Sequence, residues 1–302
     1  MRTAVIGIGS NSVRMLLADI TDHRGVRLRR DREATRLFAG LDQEGRLSDE
    51  AMKTTAIAVL RMAQRAREAG ASALSVFATS ATRDAVNREA FAALIEQAAG
   101  VPLHICSGDE EAALSFLGAS GGGASGVIDI GGGSTEIIAG EGASIHSACS
   151  VQLGAVRLYR TMPIRNRDDV PAVTDAASAI LREALRTQPG LLTPDIWWGT
   201  GGTFTALAAL ARNICWTDRA SMTGTVLTRS GTAAEAERLA DMPLAERLNL
   251  SGLQPGRADI VVHGICILLA CMDVLSVERI TVSEQGNLEG FLRRCYALEE
   301  LI

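Results

Sequence analysis

Several common functional signatures are missing from this chain of 302 residues, and each absence removes a class of function. The six cysteines form no Cys-x-x-Cys pair and the four histidines are scattered, so sequence spacing predicts no zinc site. No Gly-x-Gly-x-x-Gly stands between a strand and a helix, and no Gly-x4-Gly-Lys-Ser/Thr loop occurs. Nicotinamide-binding and Walker-type proteins are thereby excluded. The net charge of −5 argues against a nucleic-acid partner, although a local basic groove for a phosphorylated small molecule stays open.

Long apolar segments are also missing. The N-terminal residues run straight into a strand without an apolar leader, so we predict no signal peptide. Residues 260–275 are the most apolar late stretch, but His263 and Asp273 interrupt them and they are too short to span a bilayer. We expect a core helix there, reduced and mostly buried thiols, no membrane partner and a cytoplasmic location.

The order of elements indicates a duplicated α/β protein. A meander of three antiparallel strands is predicted for residues 3–9, 13–21 and 26–35, and a similar meander follows a glycine-rich linker at residues 119–126. Crossover helices and strands follow each meander. We therefore predict an N-terminal lobe over residues 1–119 and a C-terminal lobe over residues 120–302, with a ligand cleft between them. The last helix, about 286–302, is expected either to stay with the C-terminal lobe or to pack back on the N-terminal lobe.

Helix boundaries are predicted from capping residues. Ser48 is the expected N-cap of a helix over residues 49–69, and Asn87 opens another over residues 88–99. Ser107 and Glu110 have capping-box spacing at the start of a helix over residues 109–118.

The two meanders can be compared residue by residue. At an offset of 122 (129 − 7), the stretch VIGIGS at residues 5–10 aligns with VIDIGG at residues 127–132. Asp129 in the second copy thus corresponds to Gly7 in the first. The repeat predicts a carboxylate at position 7, and the sequence does not supply it.

Four polar, glycine-rich turns each follow an apolar strand. Such turns expose backbone N–H groups to an anion, and a helix that begins directly after the turn adds the attraction of its dipole. Four of them together predict a phosphate or nucleotide ligand. The turns are residues 9–12, 131–134, 199–203 and 283–286, and the candidate phosphate-binding residues among them are Ser10, Asn11, Ser12, Gly131, Gly132, Gly133, Ser134, Gly201, Gly202 and Thr203.

Three acidic residues and one arginine stand near these turns. Glu111 lies in a helical first turn, where the dipole stabilises an anionic base, although helix stability alone would also explain it. Asp129 is placed inside an apolar run, which favours a bound cation such as Mg²⁺, with Glu136 just beyond. Pairing with a basic residue or with turn N–H groups is the alternative. Arg83 follows a buried strand and could clamp phosphate or form a surface pair with Asp84.

With these residues in view, the chain resembles the exopolyphosphatase/guanosine pentaphosphate phosphohydrolase (Ppx/GppA) family, in its short two-domain type. The family belongs to the actin-like, sugar-kinase and Hsp70-like ATPase superfamily. The resemblance covers nearly the whole chain and rests on the stretches IGIGSNSVRMLL, FATSATRDAVN, ICSGDEEA, VIDIGGGSTEII, QLGAVRL, WGTGGTFTALAAL, PGRADIVVHG and VSEQGNLEG.

The resemblance implies a fold and a role for each candidate residue. The fold would be two duplicated ribonuclease H-like (actin-like ATPase) lobes with mixed sheets flanked by helices. Glu111 matches the base that activates water, Asp129 and Glu136 match acids that position Mg²⁺ and water, and Arg83 matches a catalytic arginine that contacts phosphate. The implied reaction is Mg²⁺-dependent hydrolysis of a terminal phosphoanhydride of polyphosphate, or of the 5′-phosphate of pppGpp.

The sequence departs from the family pattern at two main places. Gly7 stands where the family has an acid, and Leu288 stands where it has an arginine; His263 also replaces a small residue. These changes keep open a second function, a weakly active or inactive sensor of polyphosphate or a guanosine alarmone. A kinase is a third, weaker alternative because no acceptor pocket is indicated. The apolar late segments leave room for a homodimer.

Overall fold

The computed structural model describes residues 1–186 and 194–302. The chain divides into two compact units. Unit 1 consists of Met1–Gly118 together with Asn287–Ile302, and unit 2 consists of Ala119–Gly286. The last segment of the chain therefore completes the unit that the first segment begins.

Strands and helices alternate along the chain. Within the described residues the strands are β1 (Arg2–Ile8), β2 (Ser12–Thr21), β3 (Arg24–Ala34), β4 (Ala73–Ala78), β5 (Leu103–Ile105), β6 (Ser125–Ile130), β7 (Thr135–Glu141), β8 (Ser144–Val151), β9 (Trp197–Gly201), β10 (Val226–Thr228), β11 (Arg279–Val282) and β12 (Glu300–Leu301). The α-helices in the same residues are α1 (Asp49–Glu68), α2 (Ser80–Arg83), α3 (Arg88–Ala99), α4 (Gly108–Ala119), α5 (Ala155–Thr161), α6 (Val170–Arg186), α7 (Gly202–Arg212), α8 (Arg229–Asp241), α9 (Leu244–Arg247), α10 (Val261–Leu275) and α11 (Asn287–Tyr296).

The sheet of unit 1 has the order β12-β3-β2-β1-β4-β5. Strands β1, β2 and β3 form the predicted antiparallel meander, and β4 and β5 add to it in parallel after crossovers. Because β1, β4 and β5 are parallel to one another, their carboxyl ends lie at the same edge of the sheet. The turns and helix starts that follow these strands carry the candidate residues of unit 1.

The sheet of unit 2 repeats this arrangement in the order β10-β11-β9-β6-β7-β8. Strands β6, β7 and β8 form the second meander, and β9 and β11 add in parallel. The short β10 pairs antiparallel with β11 at the far edge. The prediction of a duplicated α/β fold with two mixed sheets flanked by helices is confirmed.

The core of unit 2 is built around α10, which lies against α6, α8 and α5. Nearly every side chain of this helix is buried, which confirms the predicted core helix. His263 is buried with it, and its Nε2 atom lies 2.8 Å from the carbonyl oxygen of Met162. None of the helices in residues 1–186 and 194–302 is both long and apolar enough to cross a membrane.

The capping predictions have mixed outcomes. Ser48 accepts a hydrogen bond from the Ala51 backbone at the start of α1, and Ser107 and Glu110 form the predicted capping box. Asn87 does not cap α3 with its side chain. Its amide instead forms two hydrogen bonds of 2.9 Å with the backbone of Leu47, because that segment passes beside it in the folded chain.

Candidate functional site

The first glycine turn joins β1 to β2 and is closed by a hydrogen bond of 3.0 Å from Gly9 N–H to the Ser12 carbonyl. Ser10, Asn11 and Ser12 are all buried. The carbonyl of Ser10 accepts a hydrogen bond of 2.8 Å from the backbone of Phe38, which belongs to a segment beyond β3. Main-chain contacts therefore hold the turn in place. A loop that binds an anion through its N–H groups needs such support.

The second glycine turn, between β6 and β7, is built in the same way. Gly131 N–H donates to the Ser134 carbonyl at 2.9 Å, and the carbonyl of Gly132 accepts from the backbone of Val156 at 2.9 Å. Gly132 corresponds to Ser10 at the offset of 122 (132 − 10) found in the sequence. The duplication thus extends from the strand order to individual hydrogen bonds. The second turn is also contacted by the side chain of Arg157, whose Nε donates to the Gly133 carbonyl at 2.9 Å.

Asp129 and Glu136 are brought together by the pairing of β6 with β7. They are register partners in an antiparallel ladder, so their side chains project from the same face of the sheet. Both are buried, with 8% and 1% of their surface exposed, and Glu136 accepts a hydrogen bond of 2.8 Å from Ser150 Oγ. Two buried carboxylates on one face form an all-oxygen donor set, which fits Mg²⁺.

The third turn differs from its prediction. The strand expected over residues 195–198 continues to Gly201 as β9, and α7 begins at once at Gly202. Gly201 has φ of +97°, and a Cβ atom there would lie 2.8 Å from Asp129 Oδ1. A Cβ atom on Gly202 would lie 1.8 Å from the guanidinium carbon of Arg257. Glycine is required at Gly201 because of this φ and because the Ile130 carbonyl oxygen would lie 2.8 Å from the Cβ atom, whereas a side chain at Gly202 would need the Arg257 guanidinium to move. Thr203, in the first turn of α7, is buried.

Arg83 and Glu111 form a close pair in unit 1. Arg83 Nη1 lies 2.8 Å from Glu111 Oε2 and also donates to the Cys106 carbonyl at 3.2 Å, whereas Arg83 Nε lies 3.9 Å from Asp84. Glu111 is 6% exposed. The segment that carries Arg83, expected as a polar turn, is the short helix α2. Its end directs the guanidinium mainly toward Glu111 in the first turn of α4.

The position of the missing acid is filled by apolar side chains. A Cβ atom on Gly7 would lie 2.9 Å from Phe77 Cζ and 3.2 Å from Leu288 Cδ2. Phe77 in turn stacks on Phe291, with ring centroids 4.9 Å apart. The two departures noted in the sequence, Gly7 and Leu288, therefore meet at one place in unit 1. Both positions lie in one apolar cluster with Phe77 and Phe291.

Sequence reasoning missed several side chains that contact the candidate residues. Phe77 and Ser150 could have been found from strand register, because they lie opposite Gly7 and Glu136 on neighbouring strands. Arg14 lies opposite Gly7 on β2, and its Nη2 donates to Asn287 at 3.0 Å. Arg257 lies against Gly202, and no local pattern indicates that contact.

The cysteines offer no activated nucleophile beside these residues. All six are free thiols, and Cys106, the nearest to Glu111 in the chain, is fully buried. Burial raises the pKa of Cys106 to about 12, so its thiol is protonated at neutral pH. The structure therefore does not support Cys106 as a nucleophile. The candidate groups for catalysis and ligand binding are the carboxylates, Arg83 and the glycine turns.

Two duplicated mixed sheets, each with a glycine turn after its first strand, place the chain in the actin-like ATPase fold class, which includes the solved Ppx/GppA proteins. Within that class the chain belongs to the Ppx/GppA phosphatase family, whose sequence model matches residues 16–298.

Three relatives illustrate the match. Exopolyphosphatase 2 of Mycobacterium tuberculosis is 34% identical over 96% of this chain and 97% of its own length. The guanosine-5′-triphosphate,3′-diphosphate pyrophosphatase of Vibrio vulnificus is 29% identical over 95% of this chain and 58% of its own length. The crystal structure of the Aquifex aeolicus family member has a TM-score of 0.80 at 26% identity and covers 98% of both chains.

Proposed function

We propose that this chain is a Mg²⁺-dependent phosphohydrolase that cleaves a terminal phosphoanhydride of polyphosphate or removes the 5′-phosphate of pppGpp. The proposal follows the activities in the names of two relatives, an exopolyphosphatase and a guanosine-5′-triphosphate,3′-diphosphate pyrophosphatase. It includes a cytoplasmic location, with which six free thiols are consistent.

The observation that carries the proposal is the pair of Arg83 and Glu111. A buried carboxylate needs a compensating charge, and the guanidinium at 2.8 Å together with the N-terminal end of α4 stabilises the anion. The pair thus supports the ionised form of Glu111, which is the form a general base needs. The planar guanidinium of Arg83 has a geometry suited to phosphate oxygens.

The proposed reaction needs little covalent chemistry from the protein. A water molecule attacks the terminal phosphorus, its proton passes to Glu111, and the bridging P–O bond breaks to release orthophosphate. The turns at residues 9–12 and 131–134, with the start of α7, bind phosphate oxygens through backbone N–H groups. Asp129 and Glu136 would hold Mg²⁺, which neutralises developing negative charge when it is bound.

Phosphate release by the purified chain tests the proposal directly. With Mg²⁺ and either polyphosphate or pppGpp as substrate, we expect release that Glu111→Gln reduces at least ~100-fold, the range of general-base catalysis. Asp109→Asn is the matched control, because Asp109 is an exposed acid in the same helical turn. An unchanged rate in Glu111→Gln would contradict the role of Glu111. Comparison of the rates with polyphosphate and with pppGpp shows which of the two substrates is preferred.

A second candidate function is a sensor that binds these phosphates with little turnover. Its supporting observation is the apolar packing of Phe77 and Leu288 around Gly7, which fills the space that an acid at position 7 would need. Tight binding of polyphosphate or pppGpp by folded protein, without release of phosphate, would favour the sensor over the enzyme. The same titration and assay therefore distinguish the two functions.

A further inference from the structure

Three side chains of different chemistry converge at the edge of the sheet in unit 1. His104 lies in β5, Cys106 follows that strand, and Glu110 lies in the first turn of α4. One ligand atom from each, a ring nitrogen, the Sγ atom and a carboxylate oxygen, lies within 4.8 Å of the others. None of the three side chains has a part in the proposed hydrolysis.

The local structure explains why these residues meet. The backbone stays extended past β5, since Cys106 N–H donates to the Ala78 carbonyl at 2.9 Å. Residues two apart on extended backbone project to the same side, so His104 and Cys106 are neighbours. Ser107 then caps α4 and turns the chain back, which brings Glu110 over them.

The capping box also sets the orientation of Glu110. Its Oε2 atom accepts a hydrogen bond of 2.9 Å from Ser107 N–H, while its Oε1 atom lies 3.2 Å from His104 Nε2. Two ligand atoms bound to one tetrahedral metal at about 2.0–2.1 Å are about 3.4 Å apart. The nitrogen and oxygen atoms are thus already at a spacing that one metal ion can bridge, and the Cys106 Sγ atom lies within 4.8 Å of both residues' ligand atoms.

We propose that His104, Cys106 and Glu110 form a binding site for a divalent transition metal of the Zn²⁺ class, separate from the oxygen-only site of Asp129 and Glu136. An imidazole nitrogen, a thiolate and a carboxylate suit Zn²⁺ or Co²⁺, whereas Mg²⁺ takes oxygen ligands. Three protein ligands leave a fourth position for water.

The surroundings give the site an outer and an inner side. The side chains of His104 and Glu110 are 46% and 38% exposed, so an ion can enter from solvent, while Cys106 is fully buried behind them. On binding, the thiol proton passes to water and a sulfur–metal bond forms. The Arg294 guanidinium acts electrostatically on both Cys106 and Glu110, and its positive charge opposes a cation there.

Cobalt is the probe that tests this site, because a thiolate–Co²⁺ bond produces a charge-transfer band in the near ultraviolet that oxygen ligands do not produce. When the metal-free full chain is titrated with Co²⁺, we expect this band to saturate at one equivalent and to disappear when Zn²⁺ is added. About one proton should be released for each ion bound. His104→Ala should weaken the affinity at least ~10-fold, since one of three ligands is lost.

Two cysteine variants serve as the matched comparison. Cys106→Ser should abolish the band, and Cys215→Ser, which changes an exposed thiol in unit 2, should leave it unchanged. The proposal is overturned if folded wild-type protein shows no band, if the band persists in Cys106→Ser, or if His104→Ala binds Co²⁺ as tightly as wild type. Each outcome is independent of phosphate release, so failure here would not affect the proposed hydrolase.

Discussion

At the scale of single residues, position 7 shows how neighbours decide the meaning of a substitution. The internal repeat predicts an acid there, and the sequence alone suggests that restoring it would help to hold a metal. The structure places Phe77 and Leu288 in the space that such a side chain would need. A carboxylate at this position would be packed against apolar carbon atoms, and the cation on the same face, Arg14, already donates to Asn287.

We therefore expect Gly7→Asp to destabilise the protein by about 3 kcal/mol or more, through overpacking and burial of a charge against apolar carbon atoms. Gly7→Ala, which adds only the Cβ atom, should cost about 1–3 kcal/mol and isolates the steric part. Denaturant unfolding of the three proteins measures both. Adding Leu288→Arg to Gly7→Asp should recover part of the loss through an ion pair, and a purely additive double variant would contradict the coupling.

At the scale of elements, the glycine turns are shaped by the segments that follow each meander. The backbone of Phe38 binds the first turn, and the start of α5 binds the second. Helix α10 shows a different effect of an element on its residues, because it carries the titratable side chain of His263 into the core of unit 2. Burial lowers the pKa of His263 below its ordinary value of 6.5.

The lowered pKa of His263 predicts a pH dependence of stability. At a pH between the folded-state pKa and 6.5, the unfolded chain binds a proton that the folded chain does not. The free energy of unfolding should therefore fall as pH decreases below about 6.5. Urea unfolding from pH 7.5 to 5 should show a shallower decline in His263→Gln. His146→Gln, a change of an exposed histidine in β8, is the control and should keep the wild-type slope.

At the scale of the whole molecule, unit 1 is discontinuous in sequence. Helix α11 and strand β12 come from the last residues of the chain, yet they pack with β1, β2 and β3. The buried side chains that this segment contributes are Leu288, Phe291, Leu292, Leu298 and Leu301. At about 1.5–3 kcal/mol for each buried side chain, their sum is comparable to the stability of a whole domain.

A chain truncated after Gly286 should therefore lose the fold of unit 1 while unit 2 stays folded. Limited proteolysis followed by mass spectrometry should find cleavage throughout residues 1–118 and protection of α10. Removal of residues 299–302 alone, which deletes β12, is the control and should leave most of residues 1–118 protected. Wild-type resistance in the chain ending at Gly286 would show that unit 1 does not need α11.

Much of the fold could be predicted because its determinants are local. The boundaries of α1 and α3 and the two meanders follow from periodicity and from turn residues. The predicted cap at Asn87 was wrong because its amide found the backbone of Leu47, 40 residues earlier in the chain. A capping rule describes neighbours in sequence and does not include such a competitor.

The amino-acid sequence by itself determined the order of strands and helices, the duplication and the four glycine turns, since each depends on residues within one or two turns of the chain. Only the tertiary structure decided which side chains meet. It paired Arg83 with Glu111 more closely than with Asp84, and it placed Leu288 beside Gly7. The reason is that strand order and register set these contacts, and they depend on the packing of residues far apart in the chain.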